Sequence, residues 1–243
     1  MDSKKHLSKI LNTGEYIVIK NALPENYRSR LAKLADKLDN PRSRPIYIAN
    51  EISLGKTTIE RYKASGIHIL LSRTKPLIES MIGTSFLVLT NKVLLRRTWP
   101  ISEEEARNLG HNASNLTWHQ DSNIRHGDKP MIVMMVSLQD GAGSTKPGLS
   151  ILKSPTRSFR GIYGYEGKRV EEFKEEMLTN YGAFNVENPE LNAGDLLIFD
   201  GLTFHRTFSH QSMNSPRDAL LVRIIKPNDA ANFAKGPHLT IKF

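Results

Sequence analysis

Two short segments of this 243-residue sequence carry side chains that can act together on one ion. In Thr117-Trp118-His119-Gln120-Asp121 an imidazole and a carboxylate stand two residues apart. Successive side chains of a strand alternate between faces, so His119 and Asp121 share one face and Gln120 takes the other. The second segment, Gly201-Leu202-Thr203-Phe204-His205, follows the strand pattern Leu196 to Phe199 and supplies a distant third donor. Two imidazoles and a carboxylate on one face of an octahedral ion leave three positions open, a donor set suited to non-haem iron(II) with a co-substrate and oxygen. Zinc accepts the same donors, but its catalytic sites usually keep a single open position. The chain has no cysteine, so any metal must be held by nitrogen and oxygen.

A cation completes the set. Arg217 opens the run Arg217-Asp218-Ala219-Leu220-Leu221-Val222-Arg223, twelve residues after His205. A guanidinium grips a carboxylate through planar, permanently charged donors and could anchor the far end of a dicarboxylic keto acid. Arg223, on the same strand face, is the rival anchor, and Arg217 could instead be an exposed strand residue paired with Asp218 or Asp195. Lys92, Arg96 and Arg97 form a further basic group, with Lys92 and Arg96 on one strand face and Arg97 on the other. Ligand contact and a solvated strand edge both remain open for them. Asp121 has a competing use as the cap of a turn at Ser122-Asn123, though its spacing from His119 favours the ligand reading. His6, His68, His111, His126, His210 and His238 lack such context and read as packed or surface residues.

These groups need elements to position them. Residues 15 to 19 read as a strand, and Pro24 opens a helix with Leu31, Leu34, Ala35 and Leu38 at three- and four-residue steps, ended by Asn40-Pro41. A second helix is expected from about Lys75 to Met81, stopped by Gly83, and a strand from Phe86 to Leu95. From residue 115 onward short strands dominate: 116–121, 131–138, 149–152, 196–199, 203–208 and 219–225, punctuated by Gly, Pro, Asn and Asp as in a sandwich or jelly roll. Two helical excursions interrupt them. One follows Pro100, with Ser102 and Glu105 in a capping-box pattern and Gly110 as its stop. The other is acidic, from Gly167 to Thr179, and both are expected to border the pocket mouth.

Length and composition fit one soluble domain over 1–243, helix-rich to about residue 84 and β-rich from 85 to 243. The longest apolar run, Met131 to Val136, is far too short to cross a bilayer, and the lysines at 4 and 5 precede no apolar signal core, so a cytoplasmic setting without membrane attachment is expected. The net charge of +9 is N-terminal in origin: the first 100 residues carry 18 Lys/Arg against 8 Asp/Glu, the remainder 16 against 17. These basic residues spread over helix faces and are not clustered among aromatics, which disfavours nucleic acid as a partner and leaves a small molecule, anionic ones included, as the expected substrate.

The ordered set Trp118-His119-Gln120-Asp121, Leu191-Asn192-Ala193-Gly194-Asp195, His205 and the trailing Arg217 resembles the phytanoyl-CoA dioxygenase-like branch of the iron(II)- and 2-oxoglutarate-dependent oxygenases. The resemblance extends over residues 15–39 and the Thr74-Lys75-Pro76-Leu77-Ile78-Glu79 stretch. It implies a mainly β fold with flanking helices around a double-stranded β-helix, or cupin-like jelly-roll, core. It implies Fe(II) on His119, Asp121 and His205, 2-oxoglutarate as co-substrate held at its side-chain carboxylate by Arg217, and O2. The implied reaction hydroxylates an unactivated C–H bond with release of succinate and CO2. Desaturation or ring closure is open to the same chemistry, whereas halogenation is disfavoured because a carboxylate stands at 121 where halogenases have a small residue. The chain departs from the family at Met135, where a tryptophan is frequent, and at 149–157, where a Pro-Gly-Ser-His stretch is usual. Two rivals stand beside this reading: a cupin-like metal enzyme that does not use 2-oxoglutarate, opposed by Arg217, and a non-catalytic basic binding protein, opposed by the intact ligand set.

Overall fold

The computed structural model describes residues 15–38, 49–53, 65–89, 92–101, 118–122, 129–153, 185–233 and 239–241. Strands β1 (Tyr16–Ile19), β2 (Ala49–Ser53), β3 (Phe86–Val88), β4 (Leu94–Thr98), β5 (Met131–Ser137), β6 (Gly148–Lys153), β7 (Asn185–Glu187), β8 (Leu196–Asp200), β9 (His205–Phe208), β10 (Arg217–Ile225) and β11 (Leu239–Ile241) form two antiparallel sheets. The larger has the order β1-β8-β5-β10-β3-β11, with β4 also paired to β10 and β2 to β4. The smaller is β7-β6-β9, and residue 119 bridges to β9 on its open side.

The winding follows from these pairings. From β4 onward the chain passes alternately between the sheets: β4 in the large one, 118–120 beside β9 in the small one, β5 large, β6 and β7 small, β8 large, β9 small, β10 large. Two strands wound together in this way make a double-stranded β-helix, in which inward-facing side chains from both sheets share one interior. The expected fold class is the one observed.

Alternation decides what lies on each side of the large sheet. In β5 the side chains of Ile132, Met134 and Val136 join the core under the helices, while Met131, Val133 and Met135 join the core between the sheets. Both faces are covered, so the segment reads as a continuous apolar run and not as an alternating one. The helical cover is α1 (Glu25–Ala35) and α2 (Ile67–Ile82). α1 begins directly after Pro24, where the sequence places it, and packs Leu31 and Ala35 inward.

Helix α2 is longer than its sequence signals suggest. Pro76 removes a backbone donor and marks a first turn, so a start near Lys75 is the local reading. The helix instead starts at Ile67, after Gly66 in the left-handed region, and carries Pro76 inside it. Its buried residues Ile67, Leu70, Leu71, Thr74, Ile78, Met81 and Ile82 make one stripe at helical spacing. Burial of that stripe outweighs the roughly 3 kcal/mol that an interior proline costs. The expected strand 86–95 is divided into β3 and β4, both paired to the uninterrupted β10. Strands β2, β7 and β11, three to five residues each, have too little alternation to be read from sequence. The excursions at 102–110 and 167–179 lie outside the described residues. Among the described residues no helix is long and apolar enough to cross a membrane.

One buried ion pair ties the helical layer to the sheet. Asp218 on β10 is 0% exposed and faces the helices. It receives Nε and Nη2 of Arg97 at 2.6 and 2.7 Å and Nε2 of Gln139 at 2.8 Å. Nη2 of Arg97 also reaches Asp36, just past α1, at 2.8 Å. Burial works against the Arg97 charge, but its two carboxylate partners raise its pKa well above the ordinary guanidinium value, with the Asp218 hydrogen bond the largest contribution. Removing Arg97 strands a buried carboxylate, so Arg97→Ala is predicted to destabilise the protein by about 3 kcal/mol or more in urea unfolding, whereas Arg97→Leu combined with Asp218→Leu should cost far less. Equal losses in the single and the double variant would remove the pair from its anchoring role.

Candidate metal centre and its cavity

The residues at 118–120 run antiparallel to the start of β9, and His119 and His205 are directly opposed. Each donates its backbone N–H to the other's carbonyl at 3.0 Å. Side chains of such a pair leave the sheet on the same face, and the two imidazole centroids lie 4.3 Å apart. Asp121, two residues on, joins that face, while Gln120 turns away and donates to the buried Leu202 carbonyl. One potential donor atom from each of His119, Asp121 and His205 lies within 4.8 Å of the others, an arrangement able to hold a metal ion.

His205 is delivered by a tight turn. Thr203 N–H donates to the Asp200 carbonyl at 2.8 Å, and the Asp200 carboxylate accepts Leu202 N–H at 3.0 Å. Gly201 sits where the chain leaves the large sheet. A Cβ there would stand 3.0 Å from Cβ of Met131 and 3.2 Å from Cβ of Ser122, too close for comfort at the crossing. Nδ1 of His205 lies 2.9 Å from the Thr203 carbonyl. A carbonyl can only accept, so Nδ1 carries the proton and Nε2 presents its lone pair, the form in which imidazole binds metals. Phe199 packs edge-on against the His205 ring with centroids 4.8 Å apart. Burial, with His119 beside it, pushes the His205 pKa down to about 3, so the ring is neutral at physiological pH. For Asp121 burial pushes the carboxyl upward, but Arg223 and the two imidazoles overcome that and hold it below the ordinary carboxylate range.

The three donors open into a cavity of about 170 Å³ between the sheets. Val133, Met135, Leu149 and Leu221 form apolar walls, and Arg96, Thr207 and Arg217 face its other end. Met135, the position where the resembled family often has tryptophan, is thus a wall of this cavity. Arg96 lines the cavity and Arg97 faces the helices, the opposite faces that parity gives them; Lys92 precedes the strand, is exposed and does not line the cavity, and its carbonyl accepts Arg223 at 3.4 Å. Leu149 heads the 149–157 stretch where the chain departs from the resembled family, whereas Thr207 carries no motif of its own. Thr207 lies two residues past His205, so the alternation that pairs His119 with Asp121 also points to it.

Arg217 differs from every alternative open to it in sequence. It is 2% exposed. Asp218 is engaged by Arg97, and Asp195 is engaged by Lys20 at 2.7 Å. Nη1 of Arg217 donates to the Gly148 carbonyl at 2.9 Å and Nη2 to Thr98 Oγ1 at 3.3 Å. Its Nε is buried without a hydrogen-bond partner, and the one carboxylate that favours its charge, Asp218 on the other face of β10, is itself held by Arg97. Burial, and Arg96 nearby, push its pKa down to about 10, which leaves it charged at neutral pH. Arg223 occupies the opposite position in the cavity, with Nε donating to Oδ2 of Asp121 at 2.9 Å.

No protein-family model matches the chain, and no curated protein matches its sequence. Solved structures do. The non-haem α-ketoglutarate-dependent epimerase SnoN from nogalamycin biosynthesis aligns over 91% of this chain and 84% of its own, with TM-score 0.57 and 13% identity. EctD from S. alaskensis with bound Fe aligns over 99% and 87%, with TM-score 0.59 and 14% identity. AviO1 from Streptomyces viridochromogenes aligns over 93% and 96%, with TM-score 0.59 and 12% identity. The chain shares their fold.

The buried neutral state of His205 has a measurable consequence. The imidazole titrates near 6.5 when unfolded and near 3 when native. Between those values the unfolded chain binds more protons, so stability present at higher pH is lost as pH falls from 6.5 toward 3. Urea unfolding of metal-free protein should show this loss, at most about 1.4 kcal/mol per pH unit from one group. In His205→Leu the slope between pH 6.5 and 4.5 should be shallower. An identical slope in the variant would contradict the buried, neutral imidazole.

Proposed function

We propose that this chain is an iron(II)- and 2-oxoglutarate-dependent oxygenase of the phytanoyl-CoA dioxygenase-like type, which hydroxylates an unactivated C–H bond of a small molecule. The observation that carries the reading is the buried guanidinium of Arg217. It faces, without an ion-pair contact among the described residues, the same cavity that holds three metal-donor side chains. A buried charge with only neutral partners is costly, and a carboxylate supplied by a ligand relieves that cost.

The donor chemistry fits iron(II). His119 and His205 offer imidazole nitrogens and Asp121 a carboxylate oxygen, a facial set that leaves positions for a chelating co-substrate and oxygen. Iron(II) with 2-oxoglutarate and O2 supplies the oxidising power, coupling loss of CO2 and formation of succinate to insertion of one oxygen atom into the substrate C–H bond. The protein's own residues bind and orient. Arg217 takes the side-chain carboxylate of the keto acid. Its Nη1 is fixed on Gly148, which pairs with Phe208, three residues along β9 from His205. Three strand residues span about 10 Å, which suits a short keto diacid held at both ends. Val133, Met135, Leu149 and Leu221 exclude water from the space between. A carboxylate at position 121 occupies a ligand position that a halide would otherwise need, which favours hydroxylation over halogenation. SnoN has been captured with Fe3+, α-ketoglutarate and nogalamycin RO, and EctD with 2-oxoglutarate and 5-hydroxyectoine, so this fold accommodates such co-substrates beside small-molecule ligands.

Three outcomes are expected. Purified protein should bind one iron(II) per chain in anaerobic calorimetry, and His205→Ala should lose that binding while keeping a cooperative unfolding transition; full metal affinity in the variant would sink the ligand assignment. Succinate formation should require iron(II) and 2-oxoglutarate. Arg217→Ala should weaken 2-oxoglutarate binding by about 2 kcal/mol or more, at least about thirtyfold, with iron affinity unchanged. Unaltered 2-oxoglutarate affinity in Arg217→Ala would remove the cation from this role, and absence of succinate under all conditions would favour a cupin-like enzyme that does not use the keto acid.

A further inference from the structure

We propose that Arg223 is a positioning residue for the metal centre, holding Asp121 as a one-oxygen ligand and so preserving the open coordination positions. The inference rests on the metal-centre reading above and concerns a residue to which that reading gives no part.

Two observations define the geometry. Nε of Arg223 donates to Oδ2 of Asp121 at 2.9 Å, and Nη2 stands 2.9 Å from the same oxygen. Both contacts fall on Oδ2. The guanidinium is itself oriented from behind, because Nη1 donates to the Lys92 carbonyl at 3.4 Å. Arg223 and Asp121 each keep only 12% of their side-chain surface exposed, so neither has the freedom of a surface ion pair.

The sheet register shows why this residue can reach the site. Arg223 pairs with Val133, and Val133 pairs with Phe199, whose ring packs on His205. The large sheet therefore presents Arg223 at the level of the metal donors carried by the small sheet. It contacts the only donor that could bind a metal in two ways. An imidazole offers one nitrogen, but a free carboxylate can chelate with both oxygens and occupy two positions. With Oδ2 engaged by a fixed guanidinium, Asp121 offers one oxygen, and three positions remain for co-substrate and oxygen. A merely structural ion pair needs no such asymmetry between the two oxygens.

Cobalt(II) serves as the probe, since its visible spectrum reports ligand number and geometry without turnover. Wild-type protein, Arg223→Leu, Arg223→Gln and Arg223→Lys are titrated by calorimetry and by absorption, with thermal unfolding as the check on folding. Arg223→Leu should bind cobalt about 10- to 100-fold more weakly, the range for loss of a partner that orients a metal ligand. At saturation its ligand-field spectrum should differ from wild type, while Arg223→Lys, which can still hold one oxygen, should restore the wild-type spectrum. If Arg223→Leu does not fold, the comparison passes to Arg223→Gln, whose weaker neutral donor should give an intermediate loss of affinity and a spectrum displaced in the same sense. Cobalt affinity within about twofold of wild type together with an unchanged spectrum, in whichever of these variants folds, overturns the proposal. Wild-type protein that binds no cobalt overturns the metal centre itself, and this inference with it.

Discussion

Two backbone hydrogen bonds, exchanged between His119 and His205, set the position of everything else in the site. They join residues 118–120 to β9 and close the small sheet on its open side. Because side chains alternate, a one-residue slip would turn His119 and Asp121 toward the outside and bring Gln120 in. Phe199 packs on the His205 ring and so holds the β9 side of the pair in place. The donor set is thus fixed by main-chain geometry before any metal is considered.

The donors were legible in sequence because they depend on spacing two along a strand, a local property. The double winding was legible as a class, from short strands with regular punctuation, but the pairings were not, because they join residues as far apart in sequence as Tyr16 and Phe199. Helix α2 shows the limit of local signals. Pro76 looks like a first turn, and only the tertiary stripe from Ile67 to Ile82 shows that the helix begins two turns earlier. The break between β3 and β4 was hidden for the opposite reason, since β10 stays continuous and holds both pieces in one sheet.

The arginines were the hardest residues to separate. Sequence spacing left Arg217 free to pair with Asp218 or Asp195 and left Arg223 as its rival for a carboxylate ligand. The structure gives each acid another partner and turns Arg223 toward Asp121. No local rule could have done this, because Asp218 faces the helices while Arg217, its neighbour, faces the cavity. Adjacent residues of one strand serve two different interiors.

That division also distinguishes structural from binding cations in this protein. Arg97 is surrounded by acids that the fold itself provides, so its charge is satisfied whether or not anything is bound. Arg217 is more deeply buried and among the described residues hydrogen-bonds a carbonyl and a hydroxyl, with Arg96 as an unfavourable neighbour and Asp218, already engaged by Arg97, as a favourable one. A fold can accept such a residue only at a cost to its ligand-free stability. On the proposed reading that cost is offset when a dianionic keto acid enters, and the same burial that makes Arg217 unfavourable alone strengthens its attraction for the carboxylate by excluding water. Asp121 is balanced differently, with its charge shared between Arg223 and whatever the imidazoles help to hold. On the same reading the cavity joins Arg217, which has no ion-pair partner among the described residues, to Asp121, which already has Arg223, and this asymmetry assigns the metal to one end and the distal carboxylate of the keto acid to the other.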